Sequence, residues 1–88
     1  MDRATVDEAR LAITSFIVDN FLFGNKAEAP AADASFLETG LVDSTGVLEI
    51  VSFIEERYGI SVADDELTPQ NLDSVANLAA FITRKQGG

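Results

Sequence analysis

The stretch "ETGLVDSTGVLEIVSFIEERYGI", residues 38–60, decides how this chain reads. From Ser44 to Tyr58 the apolar residues recur at helical spacing. Val47, Ile50, Val51, Ile54 and Tyr58 form one stripe that a helix has to bury. Glu49, Ser52 and Glu56 fall on the opposite face, with Glu55 at its margin, and Leu48 and Phe53 flank the stripe. Gly59 stands where a helix closes on a left-handed residue. At the other end, Asp43 or Ser44 suits the N-cap. An Asp-Ser pair before an apolar helix is ordinarily a cap and nothing more. Asp73-Ser74 repeats the dipeptide before a second helix that has no acidic face.

Outward from this helix the chain remains helical. "ATVDEARLAITSFIVDNFLFG" predicts a helix over about 5–23, with Thr5 and Glu8 spaced as a capping box. Val6, Ala9, Ile13, Phe16 and Ile17 make its apolar stripe, and Gly24 is a plausible stop. Phe21, Leu22 and Phe23 are expected to pack beneath the loop that follows. Leu11, Val18 and Leu22 are expected at the surface as a weak patch, so the expected state is a monomer. Residues 24–43 show no period and read as a long loop, its second half pinned to the core by Phe36, Leu37 and Leu41. After Gly59 comes a connector with a short helix somewhere within 64–72, starting at Asp64 or at Pro69. A last helix over about 74–85 is capped by Asp73 or Ser74 and buries Val75, Leu78, Ala79 and Ile82. Gly87 and Gly88 are expected to fray. The predicted fold is all-α: a single domain spanning 1–88, a small antiparallel four-helix bundle of three long helices and one short third helix.

Composition removes most competing functions. The 88 residues contain no cysteine and no histidine. Disulfides, thiolate or imidazole metal sites, cysteine nucleophiles and a Ser–His pair are therefore outside this chain's chemistry. No catalytic or metal-binding residue is expected, and Asp64, Asp65 and Glu66 lack the spacing of a calcium loop. No apolar run approaches a membrane span, and the opening "MDRATVDEAR" is unlike a signal peptide, so the expected compartment is the cytoplasm. Net charge is −9, and residues 33–73 carry all of it, with ten acids against the single base Arg57. Nucleic acid is not an expected partner, since phosphate binding needs a basic footprint. A partner with a basic surface is.

These features converge on Ser44. A serine on the first turn of a helix, after an anchored loop, presents its hydroxyl to solvent. A phosphate ester formed there lies near the unsatisfied N–H groups at the positive end of the helix. With no base in the chain to activate the hydroxyl, any modification has to come from another protein. The carboxylates beyond Ser44 give that protein something to hold.

At this point "GLVDSTGVLEIV" and the helix order around it resemble the acyl carrier protein family over nearly the whole chain. The resemblance implies that Ser44, preceded by Asp43, carries 4′-phosphopantetheine delivered from coenzyme A by a separate phosphopantetheinyl transferase. It implies a phosphoprotein whose working thiol arrives with the cofactor and holds cargo as a thioester. It also implies that Glu49, Glu55 and Glu56, with Leu48 beside them, are read by acyl- or aminoacyl-transferring enzymes with basic docking surfaces. The implied function is a free-standing, non-catalytic carrier of acyl intermediates in fatty acid or secondary metabolite biosynthesis. The sequence departs from the usual motif at Thr45, where leucine is usual, at Gly46, where an acid is common, and in the Leu41-Val42 pair before Asp43. "GLVDSTG" is also similar to D-alanyl and other aminoacyl carriers, so an aminoacyl cargo stands as the alternative. An unmodified acidic adaptor bundle is a further one.

Overall fold

The structure is a computed structural model that describes residues 5–87. The expected fraying of Gly88, and the part of the single-domain reading that covers residues 1–4, lie outside them. Three long helices, α1 (Val6–Phe21), α3 (Ser44–Tyr58) and α5 (Val75–Lys85), form the bundle. Two single-turn helices, α2 (Phe36–Thr39) and α4 (Pro69–Leu72), sit in the connections. Among the described residues there is no strand.

Each long helix starts on a side-chain cap that satisfies an otherwise orphaned amide. The Thr5 hydroxyl accepts the Glu8 amide at 3.1 Å for α1. Asp43 and Ser74 do the same for α3 and α5. The core is the meeting of three apolar stripes: Ala9, Ile13 and Ile17 from α1, Ile50, Val51 and Ile54 from α3, and Val75, Leu78, Ala79, Phe81 and Ile82 from α5. α1 packs chiefly on α5. Between α1 and α3 the space is bridged by aromatic rings instead, with Phe16 stacked on Phe53 at 4.3 Å between centroids.

The long connection after α1 is more ordered than an aperiodic sequence suggests. Asn25 caps a 3₁₀ turn at Lys26–Glu28, and Ser35 caps α2. Four bonds then fasten the segment to the start of α5. The Ala76 amide donates to the Ala32 carbonyl (2.7 Å) and the Phe36 amide to the Asp73 carbonyl (2.8 Å). The Leu37 amide and the Ser35 hydroxyl donate to the two carboxylate oxygens of Asp73. Phe36 is fully buried and Leu41 packs on the core, whereas Leu37 stays half-exposed.

The connection after α3 contains both of the short turns between which the sequence left a choice. A 3₁₀ turn at Asp64–Glu66 precedes α4, which starts on Pro69. Here Glu55 reaches forward to accept the Val62 amide at 2.9 Å, and Glu66 accepts the Ala63 amide and pairs with Lys85 of α5. The Ala63 bond first and the Lys85 contact second hold the Glu66 carboxyl below its ordinary pKa.

Two expectations about the end of α1 are corrected. Val18, expected at the surface beside Leu11, is buried, because the chain turns back over it: both the Leu22 and Gly24 amides return to the Val18 carbonyl. Phe23, expected beneath the loop, is almost wholly exposed (98 %) and takes a left-handed backbone (φ 53°) to make that return. Phe21 and Leu22 do pack against the core. Helical periodicity carries no information about where a following turn will fold, which is why both readings failed.

Candidate functional site

The first turn of α3 protrudes because the residues on either side of it are anchored. Val42 is buried at 2 % exposure, and Gly46 is buried one turn later. Gly40 takes a left-handed conformation (φ 72°) that ends α2 and turns the chain toward Val42. Asp43, Ser44 and Thr45 between these anchors are exposed.

Asp43 is the cap: its Oδ1 accepts the Gly46 amide at 2.8 Å and its carbonyl accepts the Val47 amide at 2.9 Å. Ser44 is therefore the first helical residue, and among the described residues nothing hydrogen-bonds its hydroxyl. The other Asp-Ser pair is wired in the opposite sense. Ser74 itself is the cap of α5, its hydroxyl accepting the Asn77 amide at 3.0 Å, and it is buried at 4 % exposure. Asp73 is left free to hold α2. One dipeptide thus exposes an unoccupied hydroxyl, and the other consumes its hydroxyl inside the fold. The difference is which of the two residues takes the cap.

Gly46 has a steric reason. A Cβ at this position would stand 2.9 Å from the Phe21 ring and 2.9 Å from Cγ1 of Val42. The missing side chain lets α1 approach the start of α3. Gly46→Ala is expected to lower stability by about 1 kcal/mol, because overpacking of roughly 1–3 kcal/mol exceeds the helix propensity gained. A denaturant titration checks it, and Gly46→Ala combined with Phe21→Leu is expected to recover most of the loss.

Ser44 also lies on the wall of an open apolar groove of about 340 Å³ between α2, α3 and α4. Leu37, Val47, Leu48, Leu67, Pro69 and Leu72 form most of its lining, and Asp73 touches it. Leu37, Leu48 and Leu67 are all partly exposed (53 %, 58 % and 38 %), so apolar surface is left open to water beside the serine. The sequence reading had Leu48 as a flanking residue but missed this groove and Asp73's part in it. The bonds that build it join residues 36 and 38 positions apart, and no local pattern signals them.

The carboxylates divide in two. Asp43, Glu49 and Glu56 are exposed, and among the described residues none of them is in an ion pair. Glu55 is half-buried, and one of its oxygens is spent on the Val62 amide. It shares α3 with Glu49 and Glu56 but has structural work of its own.

With this geometry in view, the family described as the phosphopantetheine attachment site matches residues 22–82. The chain belongs to the acyl carrier protein family. It is 37% identical to an acyl carrier protein of Akkermansia muciniphila over 75 residues, covering 85% of this chain and 89% of that one. An acyl carrier protein of Rickettsia bellii is 34% identical over 77 residues, covering 88% and 85%. The fold is similar to that of a holo acyl carrier protein of Nitrosomonas europaea in solution, with a TM-score of 0.66, 25% identity, and coverage of 94% and 96%. Phosphopantetheine is the prosthetic group of this carrier. The α3 start suits it: an exposed, unpartnered hydroxyl stands beside the Ser44 and Thr45 amides, which have no intrahelical acceptor. Among the described residues, no helix of the carrier is long and apolar enough to cross a membrane.

Proposed function

We propose that Ser44 is the attachment point of the phosphopantetheine arm, and that the chain is a free-standing, non-catalytic carrier of acyl intermediates. The observation that carries this reading is the exposed, unoccupied Ser44 hydroxyl on the first turn of α3, next to an apolar groove. When bound, the arm supplies a thiol that holds cargo as a thioester. The chain's own residues do the rest. Asp43 fixes the helix start so that Ser44 points outward, and the free amides of the first turn favour the phosphate charge. Intact mass after incubation with coenzyme A and a broad-specificity transferase tests the assignment, with Ser44→Ala as the control.

The groove favours an acyl over an aminoacyl cargo. Its 340 Å³ lies at the small end of ligand pockets, which suits a short apolar chain. Loading a short fatty acyl group is expected to shift the methyl resonances of Leu37, Val47 and Leu72, while loading alanine leaves them in place. Equal shifts from both cargoes, or none from the fatty acyl group, would remove the argument for acyl cargo.

Partner enzymes with basic surfaces are proposed to read Glu49 and Glu56, with Leu48 as the apolar contact and Glu55 at the margin. Reversing Glu49 and Glu56 together is expected to lower turnover by a partner enzyme several-fold at low salt, with the gap closing as salt is added. Melting curves should stay close to wild type. Glu55→Lys is expected to lower the melting temperature as well, since it removes the acceptor for Val62. Turnover indifferent to salt and to all three reversals would refute the recognition face.

A further inference from the structure

A second open groove, of about 510 Å³, runs between α1 and α3. The two helices are antiparallel, since Phe21 lies against Gly46 while Phe16 stacks on Phe53. The groove has an apolar part made by Leu11, Phe16 and Phe53, and a charged part made by Glu8, Asp19 and Arg57. Leu11 is 71 % exposed, well above Val6 at 38 %, the other exposed large apolar side chain of α1. Among the described residues, no segment of the chain fills this space.

The charges point to the occupant. Among the described residues the one ion pair is Lys85–Glu66, so Glu8, Asp19 and Arg57 all face the groove without an ionic partner. Arg57 stands only over the ring of its neighbour Tyr58, 5.9 Å from the centroid. Glu8 and Asp19 are eleven residues apart on one helix, which places them ~16 Å from each other along its axis. We propose that the α1/α3 groove docks an amphipathic helix of a partner protein, bearing two basic residues three turns apart beside an apolar stripe. The apolar stripe covers Leu11, Phe16 and Phe53, the two bases meet Glu8 and Asp19, and an acid of the partner meets Arg57. A second copy of this chain is disfavoured by its net charge of −9. An anionic lipid surface is opposed by the two carboxylates.

Position gives the groove its use. Phe53 is nine residues beyond Ser44, half a turn round the helix from it, and Ser44 lines the other groove. A helix seated between α1 and α3 holds the carrier while leaving Ser44 accessible to a second protein. This goes beyond the carrier reading and stands whether or not Ser44 bears an arm.

The test is a titration of the isotope-labelled full chain with a synthetic peptide helix. The peptide has a leucine stripe, two lysines eleven residues apart and one glutamate placed for Arg57; a control peptide has every charge inverted. Shifts confined to residues 8–20 and 53–57 are expected, with the control binding at least about tenfold more weakly. Leu11→Asp and Asp19→Lys, both at exposed positions, are each expected to weaken binding by about tenfold. Asp19→Lys should regain affinity for a peptide whose matching lysine is replaced by glutamate, and Ser44→Ala should bind as wild type. Shifts centred on Glu49 and Glu56, or equal binding of the inverted peptide, would overturn the proposal. So would a concentration-dependent dimer abolished by Leu11→Asp, which would assign the groove to a second copy, or displacement of the peptide by phosphatidylserine vesicles.

Discussion

Incubated with coenzyme A, magnesium and a broad-specificity phosphopantetheinyl transferase, the chain is expected to gain the mass of one arm, and Ser44→Ala to gain none. The effect is all or nothing, because the substitution removes the only atom proposed to form the ester. Ser74→Ala is the informative companion. It alters the same dipeptide, yet the Ser74 hydroxyl is buried and occupied by the Asn77 amide, so loading should persist. Its cost should appear in stability, at about 1 kcal/mol for a lost cap. Asp43→Ala separates positioning from attachment. It leaves the hydroxyl in place but removes the bond to the Gly46 amide, so the helix start frays and loading should slow without stopping. A full mass gain on Ser44→Ala, or no gain on the wild type, would end the assignment.

Asp73→Ala is expected to be the most destabilising of the polar substitutions, lowering stability by about 2–3 kcal/mol. Both carboxylate oxygens are in use, one by the Leu37 amide and the other by the Ser35 hydroxyl, and both bonds cross between distant parts of the chain. Removing the carboxylate leaves α2 attached through the Phe36 and Ala76 amides alone. For a domain of this size the loss corresponds to a fall in melting temperature of roughly 10–20 °C. Because Leu37 and Asp73 both line the groove at Ser44, the same variant should release an acyl chain from it. Asp73→Asn keeps one acceptor and should lose less. A melting temperature within a degree or two of wild type for Asp73→Ala would show that the apolar packing of Phe36 alone holds the loop.

These two aspartates also mark what could be read from local pattern. Three long helices, their caps and their buried stripes follow from helical spacing, because the periodicity of a helix is a short-range property. Ser44 stands out as the candidate attachment point for a related reason. A polar residue pair, a preceding glycine and an acidic helix face all lie within some twenty residues. The pattern left Asp43 and Ser44 equal as caps. The structure decides between them through backbone angles and the pull of Val42 into the core, and that choice frees the serine. Gly46 was visible only as a departure from a family motif. Its reason is the Phe21 ring, more than twenty residues upstream.

The sequence by itself therefore determined an all-helical chain with an acidic face behind Ser44, since each of these rests on residues close enough to share a helix or a turn. The carrier function entered through the resemblance of "GLVDSTGVLEIV" to a known family. The tertiary structure decided the rest. Asp73 became a clamp, Glu55 turned from a surface charge into an acceptor for Val62, and Val18 went inside while Phe23 stayed out. It also opened two grooves on opposite sides of α3, one beside Ser44 and one against α1. Grooves form where side chains from separate helices fail to meet, and that depends on how the helices pack, which no single helix encodes.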